Sequence, residues 1–185
     1  MLRRHVLAMA MAAMAILPVS SALSAESTDP VVLTVTGNIA APNRGPLDAF
    51  EDAVFSHLDV TFDKAFTFTL PELRALPQAS ARAQYNEWPR EVTASGPTLA
   101  DVLKAAGATG AKVTVQAADG YTFDFTAQDV AKGQLILAIE ADGKPLAMGA
   151  RGPLWVFGTP NSFEGQDQDE GFVFEVIRID VTDPT

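Results

Sequence analysis

Site chemistry needs a nucleophile, a base, a metal ligand or a binding surface, and this chain is short of the first three. It holds no cysteine and two histidines, His5 and His57. A zinc site built on Cys and His, a Cys-His pair or a Ser-His-Asp triad cannot be chosen from that stock. What remains is a set of side chains that stack and hydrogen-bond rather than react. Arg82, Tyr85, Asn86, Glu87 and Trp88 fall within seven residues, Tyr121 follows an Asp-Gly turn, and Arg151 opens an Arg-Gly-Pro-Leu segment. Each also has a plain structural use: Trp88 beside Pro89 can cover a core edge, Tyr121 can be a strand-surface aromatic, and Arg151 can pin a strand through carbonyls or meet an anion. Trp155 lies in an alternating apolar run, where packing is the expected role. The stretch 159–171 gathers Glu164, Asp167, Asp169 and Glu170 among Gly, Asn, Ser and Gln. Those carboxylates follow no EF-hand spacing, so a solvated loop, or a docking point for a basic partner surface, is expected instead of a calcium site.

The charge narrows the partners. The chain begins with Arg3 and Arg4, an apolar run of about a dozen residues and a small-residue zone ending at Ala22 or Ala25, the three regions of a secretory signal. That run is shorter than the roughly 20 residues of a spanning helix. Residues 1–25 are therefore expected to be a removed signal peptide, 26–185 one exported, periplasmic domain, with no membrane insertion after removal. Without Arg3 and Arg4, 11 basic residues face 23 acidic ones, a charge of 11 − 23 = −12. Such a surface disfavours nucleic acid and anionic lipid. With no disulfide available, stability must come from an ordinary core.

The elements that must position these residues are mostly strands. Val31–Gly37 is β-branched and closes on a glycine, with Ile39 extending it. Leu47, Phe50, Val54 and Leu58 recur at helical spacing, and 60–68 reverts to alternation. Three short helices are announced by one device, a Thr with an acidic residue three positions on: Thr69 with Glu72, Thr98 with Asp101, Thr126 with Asp129. Leu70, Leu73 and Leu76 would form the apolar face of the first, ended by Pro77, and Leu99, Val102, Leu103 and Ala106 that of the second, ended by Gly107. Strands are predicted over Lys112–Ala117, 121–125, 134–140, 154–157 and 172–181, with turns at Asp119-Gly120 and Asp142-Gly143. In the last strand the apolar phase slips after Val176, which predicts a β-bulge. Dispersed short helices among many strands predict an α+β fold with a mostly antiparallel or mixed sheet.

Read in order, six motifs resemble the molybdopterin-binding domain of the sulfite oxidase superfamily. They are Val31–Gly37, Leu76-Pro77-Gln78, Gly96-Pro97-Thr98-Leu99-Ala100-Asp101-Val102-Leu103, Asp119-Gly120-Tyr121, Asp142-Gly143-Lys144-Pro145-Leu146 and Arg151-Gly152-Pro153-Leu154. The resemblance spans nearly all of 26–185 and implies a sulfite-oxidase-like fold. Catalytic members of that superfamily hold molybdenum through one cysteine after the Leu-Pro helix. Here that position falls near Gln84. A neutral amide is a poor replacement for a soft anionic sulfur, so the resemblance implies a pterin binder without molybdenum and without oxo-transfer.

Aromatic faces suit a flat bicyclic ring, and carboxylate or carbonyl oxygens suit its amidine-like edge. The resemblance thus implies Arg82, Tyr85, Asn86, Glu87, Trp88, Tyr121 and Arg151 as ligand-binding residues, with no catalytic residue and no metal ligand. Its cysteine-less exported branch resembles periplasmic proteins that report pterin status to membrane-bound regulators of cyclic di-GMP. The expected partners are a reduced pterin and the outer domain of such a receptor. Two alternatives stand beside this reading: a molybdopterin-dependent oxidoreductase that keeps its cofactor without a cysteine, and a pure interaction module using the acidic 159–171 loop.

Overall fold

The computed structural model describes residues 28–85, 88–159, 162 and 171–183. The described chain is α+β, with mixed and antiparallel sheets and four short helices. Strand β1 (Val31–Gly37) is the hub of the larger sheet. It pairs antiparallel with β2 (Phe66–Thr69) and parallel with the C-terminal β11 (Val176–Thr182). Outside β11 come β5 (Lys112–Ala117) and β6 (Thr122–Thr126), so the sheet order is β2-β1-β11-β5-β6. Leu33 and Val35, Val113 and Val115, and Ile179 and Val181 alternate along their strands and bury one common face. The predicted bulge is present: the β11–β5 register shifts between Val176 and Arg178.

A second sheet, order β3-β4-β8-β9, is formed by Gln78–Ala83, Val92–Pro97, Glu140–Ala141 and Lys144–Pro145. The first two of these strands were not legible in the sequence. The segment 78–83 is Ala, Ser, Gln and Arg, poor in β-formers, and is held as a strand by its regular ladder to β4. The predicted strand 134–140 is divided. Its first part, β7 (Ile136–Ala138), pairs with β10 (Trp155–Phe157), and its last residue joins β8 after the chain changes partner at Ile139, whose N–H bonds to Ser95 O. Leu135 to Ile139 are all buried, so no exposed face marked the break.

All three Thr devices cap helices. Thr69, Thr98 and Thr126 accept from the N–H of Glu72, Asp101 and Asp129, opening α2 (Leu70–Ala75), α3 (Leu99–Ala105) and α4 (Ala127–Ala131). Only Thr69 has the full reciprocal box, with its own N–H donated to Glu72 Oε2 at 2.7 Å. Helix α2 seats Leu73 alone in the core, with Leu70 and Leu76 half-buried beside it. Helix α3 seats Leu99, Val102 and Leu103.

The predicted helix through Leu47 to Leu58 is the clearest correction. Only α1 (Ala53–His57) forms, it buries none of its residues, and Phe50 and Val54 are exposed. The Asp48 carboxylate accepts from the N–H of Phe50 and Glu51, and its carbonyl from the N–H of Asp52, as at a helix start, but regular helix is reached only over Ala53–His57. The strand expected over 60–68 shrinks to β2, and Ile39 makes an isolated bridge to Ala108 rather than extending β1. Among the described residues, no helix is long and apolar enough to cross a membrane.

Candidate functional site

The strand pair β7–β10 brings Trp155 and Phe157 into the middle of the molecule, both almost wholly buried. Around them gather Trp88, Tyr85, Phe172 and Phe174. Trp88 is the centre of this group, with ring centroids 5.0 Å from Tyr85 and 5.5 Å from both Trp155 and Phe172. Tyr85 meets Phe172 edge-on at 4.5 Å, and Trp155 meets Phe157 at 4.8 Å. Edge-on and tilted arrangements are those that the ring quadrupole favours. The Tyr85 hydroxyl is satisfied by donating to Gly158 O at 3.2 Å. Trp88 is half-buried, so part of its ring is available at the surface.

Phe172 and Phe174 reach this cluster because the chain ahead of β11 is not strand. The predicted strand 172–181 begins only at Val176. Glu175 stands at φ +49°, and this turn breaks the ladder before Val176. The same turn holds the segment that carries Arg151: the Glu175 carboxylate accepts from Gly149 N–H at 2.8 Å, and Glu175 N–H donates to Arg151 O. A Cβ on Gly152 would lie 2.5 Å from the Leu146 carbonyl, so only glycine lets this segment pass so close to the chain leaving β9.

The Arg151 guanidinium neither pins a strand nor meets a carboxylate among the described residues. It lies over the rings of Phe174, Trp155 and Trp88, at 5.1, 5.3 and 5.7 Å from their centroids. Beside it opens a cavity of about 250 Å³ whose walls include Trp155, Arg151, Lys144, Arg90, Leu146 and Val92. Three cations and no carboxylate line it. Arg90 is ion-paired with Asp142 at the tip of the β8–β9 hairpin. The N–H of Thr93, followed by Arg90, holds the Asp142 carboxyl below its ordinary value. Lys144 forms no hydrogen bond or close ion pair among the described residues, and only its longer-range field reaches Asp142.

Comparison with models of known protein families and with curated proteins finds no match. The site therefore rests on its own geometry.

Of the residues expected to bind ligand, the fold unites Tyr85, Trp88 and Arg151. Arg82 points outward from edge strand β3 and pairs with Glu91 at 3.3 Å. Tyr121 sits at the β5–β6 turn of the larger sheet, exposed, and makes no ring contact with Trp88 or Trp155. Asn86 and Glu87 lie outside the described residues, as do Glu164, Asp167, Asp169 and Glu170 of the acidic loop. Sequence reasoning missed Phe172 and Phe174, taken for strand, and Arg90 and Lys144. A hint was present for Lys144, which directly follows the Asp-Gly turn.

Does this place fit a molybdenum centre? Gln84 is an exposed neutral amide, the Tyr85 hydroxyl is already engaged, and the chain has no thiolate anywhere. These donors do not fit the metal.

Proposed function

We propose that this chain is a non-catalytic, exported pterin-binding protein with a sulfite-oxidase-like domain, whose ligand occupancy is read by the outer domain of a membrane receptor in cyclic di-GMP signalling. The observation that carries the reading is the half-buried Trp88, in contact with four other aromatic rings, one of which, Trp155, lines a cavity of about 250 Å³. An open pocket walled in part by a fixed indole suits a bicyclic ring, and four ring neighbours hold Trp88 in place before the ligand arrives. The donor set near Gln84 supports binding without metal chemistry. The secretory character of residues 1–25 supports a periplasmic setting.

Signalling then follows from differential affinity: a receptor that prefers the occupied surface is shifted by the pterin, and one that does not prefer it is not. Calorimetric titration of the mature chain with reduced pterins tests the reading. Saturable binding with quenched tryptophan emission supports it. No heat and no quenching up to millimolar ligand overturns it.

A further inference from the structure

Between the start of β1 and helix α1 lies an open groove of about 400 Å³, walled also by Ala118, Met148 and Ile177. We infer that this groove docks a partner protein through a segment that presents apolar side chains flanked by Lys or Arg. The inference deepens the receptor reading and rests on it only for which protein the partner is, while the groove stands on its own observations.

The first observation is uncovered apolar surface. Val31, Val54 and Met148 wall the groove, are each more than half exposed, and make up three of the six large apolar side chains exposed among the described residues. Phe50, in the turn that leads into α1, is the most exposed of the six. Helix α1 supplies Ala53, Val54 and Phe55 to the wall and buries none of its residues. Single exposed hydrophobics are ordinary, whereas several on one concavity mark a surface that another protein covers. The flexible thioether of Met148 suits such a contact. The second observation is charge. Among the described residues Arg44 is the one cation lining the groove, and it is spent on Asp52, with its two terminal nitrogens 3.0 and 2.6 Å from the carboxylate. Glu51 also lines the groove, exposed, and its carboxylate forms no hydrogen bond or ion pair among the described residues. Glu175 adds a second carboxylate beside Met148: it accepts from Gly149 N–H at 2.8 Å, and Glu175 O accepts from the N–H of Ala118 at 3.0 Å. An acidic rim without a free cation attracts a basic segment. It repels anionic lipid and a second copy of this chain, whose formal charge is −10. Position adds a third argument. Glu175 N–H donates to Arg151 O, and Arg151 lies over Trp88 and Trp155, so a partner seated on Met148 lies next to the turn that anchors the ring site.

The test is photocrosslinking of the full chain in cells of its own host, with a benzophenone side chain placed at Val54 or Met148 in the groove, or at exposed Arg82 on β3 as the control. Both groove positions should give the same protein adduct and Arg82 none. Mass spectrometry of the linked peptide should find Lys or Arg beside apolar residues. Glu51→Lys, a change at an exposed residue, should cut the adduct yield about tenfold or more by reversing a rim charge, while Glu51→Asp largely retains it. The melting temperature of Glu51→Lys should match that of the parent. No adduct, an equal adduct from Arg82, a linked peptide without basic residues, or a yield unmoved by Glu51→Lys overturns the docking groove. So does a link to lipid, to a second copy of the chain or to residues 1–30 of the same chain. Calorimetry with reduced pterins separates this from the ligand reading. A groove adduct with no pterin binding overturns the pterin reading and leaves the groove standing, and pterin binding with no groove adduct does the reverse.

Discussion

The guanidinium of Arg151 lies 5.3 Å from the ring centroid of Trp155, an indole buried to 1% exposure whose own N–H has no acceptor among the described residues. Cation and unpaired donor thus meet in one corner of the core. Trp155→Phe loses no hydrogen bond and leaves the smaller cavity, so it should cost clearly less than the roughly 3–5 kcal/mol of Trp155→Ala. Urea denaturation of the two variants separates these values. A Phe variant as damaging as Ala would show that losing the indole's second ring or its N–H costs as much as losing the whole side chain.

Trp88 is the ring with both a surface and a set of aromatic supports. If the chain binds pterin as proposed, Trp88→Ala should weaken that binding by about tenfold or more, since it removes the stacking face. Calorimetry on the folded variant provides the measurement, and unchanged affinity would move the ring site away from Trp88.

Asp52 sets an acid limit on the α1 region. Its carboxyl is held below the ordinary value of 3.8, first by the hydrogen bonds of Arg44 and then, against the opposing effect of burial, by the N–H of Asp48. A depressed folded pKa contributes stability that is fully present above the unfolded value and is lost as pH falls through the folded one. Asp52→Asn should therefore lower the melting temperature at pH 7, and its gap from the parent protein should close as pH drops below 3.8. Melting curves at several pH values between neutral and strongly acidic follow both.

Gly96 is where the two strand systems touch. A Cβ there would lie 2.1 Å from Leu137 O, a backbone atom with nowhere to go. Gly96→Ala should cost roughly 1–3 kcal/mol or more by forcing β4 from β7. A variant that melts within a degree of the parent would mean that the strands can separate freely.

Thr69 closes its helix reciprocally with Glu72 and is itself buried. Thr69→Ala should cost about 1 kcal/mol. The exposed cap at Thr126 is the control, where the same change should cost less. Equal losses in chemical denaturation would show that the reciprocal box adds nothing.

The sequence by itself determined what was local. A Thr and an acid three positions apart cap a helix wherever the rest of the chain goes, so Thr69, Thr98 and Thr126 all start helices as expected. Asp142-Gly143 turns because both residues take positive φ, and the phase slip near Val176 is a register shift in β11. Absence of cysteine likewise needs no fold to exclude a thiolate. Only tertiary structure decided which strand meets which. The Gln78–Ala83 strand has little intrinsic preference and exists because β4 lies alongside it. The apolar spacing of Phe50 and Val54 looked helical, yet no core face among the described residues covers them and both side chains stay exposed. The candidate site divided in the same way. Tyr85 and Trp88 are three residues apart, but Arg151, Trp155, Phe172 and Phe174 reach them only because β10 pairs with β7 and the chain turns at Glu175 before β11. Spacing carries information over one turn or one hairpin; the position of a cation above a distant ring is set by packing, which no short pattern encodes.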